Sequence, residues 1–190
     1  MSEREVFRAK SGYLLSGATA VLSALFIWSA ALTQGLVAAI TGSLAANILV
    51  YLIFVRPHII YTDESLRIIN PIEEIEIGWS DIDLVDAKWC MNVTTKFGRF
   101  NAWAAPAPSR FHSKKIHPSE LRGMEIRGRE SISPALSPKS DSGIAVHMAQ
   151  VRLKDFRGTS HEFRYRKNWS WAALLGLSLT ATLILIILGK

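Results

Sequence analysis

A chain of 190 residues has room for one compact domain plus a few membrane-crossing helices, and not for two large soluble domains. Its net charge of +6 calls for an anionic partner. The cations flank apolar runs and no nucleic-acid recognition module or stacking aromatic stripe is present, so an anionic membrane face is expected rather than nucleic acid. The one cysteine, Cys90, excludes an intramolecular disulfide.

Residues 1–12 read as a short tail carrying Arg4, Arg8 and Lys10. From Ser11 to Val55 there is no Asp, Glu, Lys or Arg, a run long enough for two helices that cross the hydrocarbon core. The polar step Thr33-Gln34-Gly35 divides it, giving spans over 13–32 and 36–55, and Pro57 blocks continuation. The run exceeds the apolar core of a secretory signal and a second span follows at once, so cleavage is not expected. Ser16, Ala20 and Ala24, then Ala38, Gly42 and Ala46, recur at helical spacing. Such small-residue faces serve packing within the hairpin or homo-oligomerisation. No ionisable residue lies inside a span, which argues against a proton relay or ion path.

Residues 56–160 read as a domain whose first half is a meander of short strands with period-two patterning. The strands are expected at His58–Thr62, Ser65–Ile69, Glu74–Ile77, Ile82–Trp89, Met91–Lys96 and Arg99–Trp103. In Glu74-Ile75-Glu76-Ile77 the isoleucines face inward. Residues 105–143, rich in proline and serine, read as a mobile insertion with a short strand at Met124–Arg127, and Ser131, Ser133 and Ser137 as phosphorylation candidates. Ile144, Ala145, Met148 and Val151 then predict an amphipathic helix running to Phe156, with Gly158 as its stop. A basic connector over 161–170 leads to a third span at 171–188, which holds ten Leu or Ile residues behind Trp169 and Trp171.

With three crossings, Arg4, Arg8, Lys10, Arg56, Arg164, Arg166 and Lys167 fall on one side, and the positive-inside rule makes that side cytoplasmic. Arg56, Arg110, Lys114, Lys115, Arg164, Arg166 and Lys167 are the candidate contacts to anionic lipid. A catalytic constellation is not found: no P-loop, dinucleotide fingerprint or nucleophile elbow occurs, and no cofactor is implied. The histidines His58, His112, His117, His147 and His161 lack zinc-ligand spacing. Asp81, Asp83 and Asp86 read as the solvated outer side of a strand. Trp79, Trp89 and Trp103 are core if buried and partner anchors if exposed, with core expected.

The stretches Arg56-Pro57, Asp63-Glu64-Ser65-Leu66, Asn70-Pro71, Ile77-Gly78-Trp79-Ser80-Asp81-Ile82 and Ala102-Trp103-Ala104-Ala105-Pro106-Ala107-Pro108 resemble the actinobacterial PH-domain membrane proteins, some labelled low-molecular-weight protein antigens. The resemblance implies an α+β membrane protein. In that family a PH-like antiparallel β sandwich or open barrel, closed by a C-terminal helix, follows two N-terminal spans. The third span and the long insertion before the helix, read from the residues alone, are departures or family variants. The full expectation is three transmembrane helices carrying the PH-like domain. The resemblance implies no reaction. The turn Thr62-Asp63-Glu64 is acidic and short, which argues against phosphoinositide recognition of the usual PH kind. The expected function is a membrane-anchored interaction or scaffolding module, not an enzyme, bound to the bilayer and to a membrane or cytoplasmic protein. The alternative is an accessory subunit of a membrane enzyme or transport complex.

Overall fold

The computed structural model describes residues 4–32, 36–108, 134–138, 140–158 and 162–188, and the chain divides into two compact units. One is helical, built on residues 10–56, 71–73 and those from 167 onward; the other is mainly β, built on residues 1–9, 57–70 and 74–166.

The helical unit contains α1 (Ser11–Ala31), α2 (Leu36–Val50, continued by a π turn over Tyr51–Val55) and α4 (Ser170–Leu188). All three are long and apolar enough to cross a membrane. At 1.5 Å per residue the 21 residues of α1 span about 30 Å, the thickness of a hydrocarbon core. Most of their large apolar side chains are exposed, as lipid-facing residues are, including Leu14, Leu22, Leu25, Leu177 and Leu183. Helix α2 packs against both α1 and α4 and buries Ala39, Ser43, Ala45 and Leu52.

The expected small-residue faces hold only in part. Ser16, Ala38 and Gly42 are partly covered, with Gly42 in van der Waals reach of Thr182, but Ala20, Ala24 and Ala46 are exposed. The inward side of α1 runs instead through Gly12, Ser16, Thr19, Ser23 and Ile27. Ser23 accepts a 2.8 Å hydrogen bond from Asn47 Nδ2, which also donates to Ser43 O at 2.8 Å. A hydroxyl and a carbonyl thereby satisfy an amide that lipid could not.

In the second unit the described residues form two antiparallel sheets. The larger has the order β1-β2-β3-β4-β8, with β1 at Glu5–Phe7, β2 at His58–Tyr61, β3 at Ser65–Ile69, β4 at Glu73–Gly78 and β8 at Arg164–Lys167. The smaller has β5 (Ile82–Ala87), β6 (Cys90–Thr95) and β7 (Gly98–Pro106) in sequence order. Gly98, at φ +136°, turns β6 into β7 with a backbone conformation that a side chain would strain. Helix α3 (Asp141–Asp155) starts at Ser140, whose Oγ accepts from Gly143 N at 3.0 Å as an N-cap. Its inward face presents Ala145, Val146 and Ala149, small side chains that let the helix lie close on the sheets.

The core joins Ile59, Leu66, Ile68, Ile75 and Ile77 from the larger sheet to Val85, Met91, Val93 and Ala102 from the smaller. Ile75 and Ile77 point inward as their alternation with glutamates predicts. Trp79 lies in the single 3₁₀ turn between β4 and β5, buried, with Nε1 donating to Thr62 O at 2.9 Å. Its polar edge is thus satisfied while its ring fills the core.

Several boundaries differ from the sequence reading. The tail over 1–12 is not free of the domain: Glu5, Val6 and Phe7 pair with Tyr61, Ile60 and Ile59. The basic connector is likewise a strand, β8, hydrogen-bonded at the opposite edge of the same sheet. Both ends of the segment 105–143 belong to the folded domain. Strand β7 runs through Ala105, which is fully buried, and Ala135 and Leu136 pack into the core. Ser137 is buried with its carbonyl accepting from Ser140, a poor position for phosphorylation. Ser131, Ser133, the expected strand at Met124–Arg127, and Arg110, Lys114 and Lys115 lie outside the described residues.

The aspartates depart from a uniformly solvated row. Asp81 is buried and pairs with Lys96 Nζ at 2.6 Å, while Asp86 accepts from Ala87 N at 2.7 Å. A register shift between Ile82 and Leu84 breaks the alternation, leaving both Asp83 and Leu84 exposed. Of the three tryptophans expected in the core only Trp79 is there; Trp89 and Trp103 are exposed.

Candidate functional site

Two surfaces concentrate the charged and aromatic residues, one in each unit. In the helical unit they gather where α1 starts, α2 ends and α4 starts. Gly12 lets these ends approach: a Cβ there would sit 2.1 Å from Phe54 O. Tyr51 and Trp171 meet with ring centroids 5.1 Å apart, and Lys167 Nζ lies 6.0 Å from the Trp169 ring. Arg56 donates to Pro71 O, and Asn168 N donates to Ile72 O at 2.7 Å. Asn168 Oδ1 then accepts from Ser170 N at 3.2 Å, capping α4. The described part of this end carries Lys10, Arg56 and Lys167 among Tyr13, Tyr51, Trp169 and Trp171, which is the composition of a membrane–water interface.

In the β unit the outer face of the larger sheet holds a second charged surface. An open groove of about 220 Å³ is lined by Arg67, Glu74, Ile75, Glu76, Arg164 and Arg166. The alternation that turns Ile75 and Ile77 inward turns Glu74 and Glu76 outward. Residues Arg164 and Arg166, two apart on β8, share that side. Arg67 donates to both carboxylate oxygens of Glu76 at 3.0 Å, a forked pair half open to solvent. On the other side of β8, Phe163 stacks on Phe97 at 4.3 Å and Tyr165 approaches Phe100 at 6.4 Å. These aromatic contacts link the β8 edge to the smaller sheet.

Of the candidate lipid contacts, Arg164, Arg166 and Lys167 come together on exposed β8. Arg56 does not join them: it is only 8% exposed and its guanidinium is engaged by the Pro71 carbonyl. Its place is structural, closing the end of α2. The sequence reading missed Asn47, Asn70 and Arg152. Asn70 is buried and clamps β7, donating to Asn101 O at 2.8 Å and accepting from Trp103 N at 3.0 Å. Arg152 ties α3 to Asp63 at 2.9 Å and to Glu5 at 3.2 Å. An uncharged amide inside an apolar run was a signal for Asn47; Asn70 beside Pro71 read only as a strand break.

No group of three or more His, Cys, Asp or Glu among the described residues is placed to hold a metal ion. Burial pushes the Cys90 thiol up, opposite to what a nucleophile needs, although the Ala102 backbone and Arg99 pull the other way. Burial also raises the Tyr61 phenol, with Glu5 adding to it; its hydroxyl donates to Ala145 O at 2.9 Å and ties β2 to α3. Compared with known proteins, the chain matches no protein-family model, no curated protein and no solved structure.

Proposed function

We propose that this chain is a membrane-anchored interaction module. In this reading a PH-like β domain is held at the cytoplasmic face by a multi-pass helical anchor and has no catalysis of its own. The observation that carries the reading is the run from β8 into α4. A wholly exposed strand, Arg164–Lys167, ends the larger sheet and leads within three residues into an apolar helix 19 residues long. A charged docking edge and a membrane anchor are thus one continuous piece of chain. Three further features support it: the cations at the helix ends, the tyrosines and tryptophans beside them, and the uncharged span interiors. Two sheets closed by α3 are compatible with the PH-like arrangement that the sequence resembles. Arg164, Arg166 and Lys167 add attraction to an anionic leaflet, on the order of 1 kcal/mol each. The edge of β8 and the groove beside it offer backbone and mixed charge to an extended segment of a protein partner.

The test is photo-crosslinking in native membranes, with a photoreactive side chain placed at position 164 or 166 of the full chain and a control at position 80. A discrete protein adduct at the two strand positions and none at the control is expected. Lipid adducts alone, or equal yields at all three positions, would overturn the interaction reading. A protein adduct that proves to be a membrane enzyme or transporter would assign the chain as its accessory subunit.

A further inference from the structure

Strand β8 has a neighbouring strand on one side only. Among the described residues it is the last strand of the larger sheet, next to β4, and its four residues are all exposed. Its side chains sort onto two faces. Arg164 and Arg166 share the outer groove with Glu74 and Glu76, whereas Tyr165 lies toward the smaller sheet, its ring 6.4 Å from that of Phe100. Phe163, two residues before Tyr165 and on the same side, stacks on Phe97. Tyr165 and Phe97 are still 44% and 48% exposed, so that side ends in an open aromatic step. Arg164, Tyr165, Arg166 and the groups around them all belong to the β unit.

The neighbour that β8 already has shows what matches those two faces. In β4 the glutamates Glu74 and Glu76 stand beside the arginines, and the alternating Ile75 and Ile77 are buried. Successive residues of a strand point to opposite faces of the sheet, so both edges of β8 present the same side chains. A segment added at the open edge meets arginines on one face and aromatic rings on the other. Its complement is again acid alternating with apolar. Opposite charges on adjacent strands attract and like charges repel, which selects against a basic segment. The carboxylates of β4 leave this demand unmet. Glu76 is held on both oxygens by Arg67 and accepts from Ser65 Oγ at 3.2 Å. Arg164 reaches exposed Glu162 at 3.6 Å, and Arg166 forms no ion pair among the described residues.

We propose that the open edge of β8 takes an extended protein segment in which acidic and apolar residues alternate. The segment adds as a further strand of the larger sheet, with its carboxylates on Arg164 and Arg166 and its apolar side chains against Tyr165 and Phe97. This names the partner chemistry of the interaction reading and rests on it. For the test, the full chain is reconstituted in phosphatidylcholine nanodiscs. A dye-labelled peptide with the sequence of residues 72–79, blocked at both ends, is titrated by fluorescence anisotropy. A peptide of the same composition with its glutamates grouped at one end is the control. The alternating peptide should bind roughly tenfold more tightly than the control. Amide exchange over 164–166 should slow on binding while that of β3 stays unchanged. Arg164→Gln with Arg166→Gln, which places no like charge beside Glu74 and Glu76, should lose the preference; Lys88→Gln, in the turn between β5 and β6, should keep it. Equal affinity for the two peptides, a preference that survives the double variant, or faster exchange in β3 as the peptide displaces β4 would overturn the inference. No peptide binding, alongside a discrete protein adduct at position 164 in native membranes, would overturn this inference and leave the interaction reading standing. Absence of that adduct would overturn both.

Discussion

Replacing Asn70 with alanine removes a clamp rather than a contact. The side chain is 4% exposed, and its amide satisfies a carbonyl and an N–H on β7, at 2.8 Å from Asn101 O and 3.0 Å from Trp103 N. A typical hydrogen bond contributes about 1 kcal/mol net, and a buried partner left unsatisfied costs about 1–3 kcal/mol. The side chains of Asn101 and Trp103 are exposed, so water reaches the freed groups more easily than in a closed core. The lower part of the range applies, about 2 kcal/mol for the pair. Asn70→Asp keeps the acceptor for Trp103 N but sets a carboxylate oxygen against the Asn101 carbonyl, so it should do no better than alanine. Amide hydrogen exchange of the full chain in micelles reads this directly. Local opening at Trp103 should become roughly 30-fold more frequent, the equivalent of 2 kcal/mol, with β3 amides away from Asn70 little changed. Exchange at Trp103 that stays within experimental scatter of the parent would refute the clamp. Full protection in Asn70→Asp would refute the donor half of it.

Other consequences are as specific. Asn47→Leu removes the side-chain hydrogen bond from α2 to Ser23 of α1 and should weaken the hairpin by about 0.6 kcal/mol, up to about 1.7. Detergent-titrated unfolding checks this, and Ser23→Ala should give no further loss in the double variant. Gly12→Leu places a side chain where even a Cβ would overlap Phe54 O. Crosslinking between cysteines placed at the start of α1 and the end of α2 should fall sharply. For Tyr61, burial raises the folded-state pKa above the ordinary phenol value of about 10, so its contribution is complete below pH 10. Above that the unfolded chain loses the proton first, and stability should fall by up to about 1.4 kcal/mol per pH unit. Tyr61→Phe should cost about 1 kcal/mol at neutral pH and remove that share of the alkaline slope in denaturant titrations.

Long apolar runs and strict alternation were legible because they encode burial locally. The three long apolar helices begin and end within two residues of their expected bounds, and each strand of the meander was placed. The edge strands were not. Glu5–Phe7 is three residues long and Arg164–Lys167 is wholly exposed, so neither shows a period; each is a strand only because a neighbour offers it a ladder. Proline and serine suggested mobility for residues 105–143, yet Ala105 and Ala135 are small enough to enter the core without a strong apolar signal, and Leu136 does so as a lone large apolar residue without a period around it. Trp89 and Trp103 were misjudged for a different reason. A tryptophan in a strand is usually core, and only the register, with its shift between Cys90 and Met91, shows that Trp103 faces out. Of the candidate site, β8 was visible as a basic cluster; the groove that pairs Arg164 and Arg166 with Glu74 and Glu76 depends on strand order, which composition does not carry.

Labelling of single cysteines with a membrane-impermeant maleimide in intact cells, in a Cys90→Ser background, tests the anchored arrangement most directly. Ser80→Cys, at the exposed residue of the turn between β4 and β5, should resist the reagent until the cells are permeabilised, whereas Leu32→Cys, at the far end of α1, should react in intact cells. Labelling at 80 before permeabilisation, or recovery of the intact polypeptide in the aqueous fraction without detergent, would contradict it.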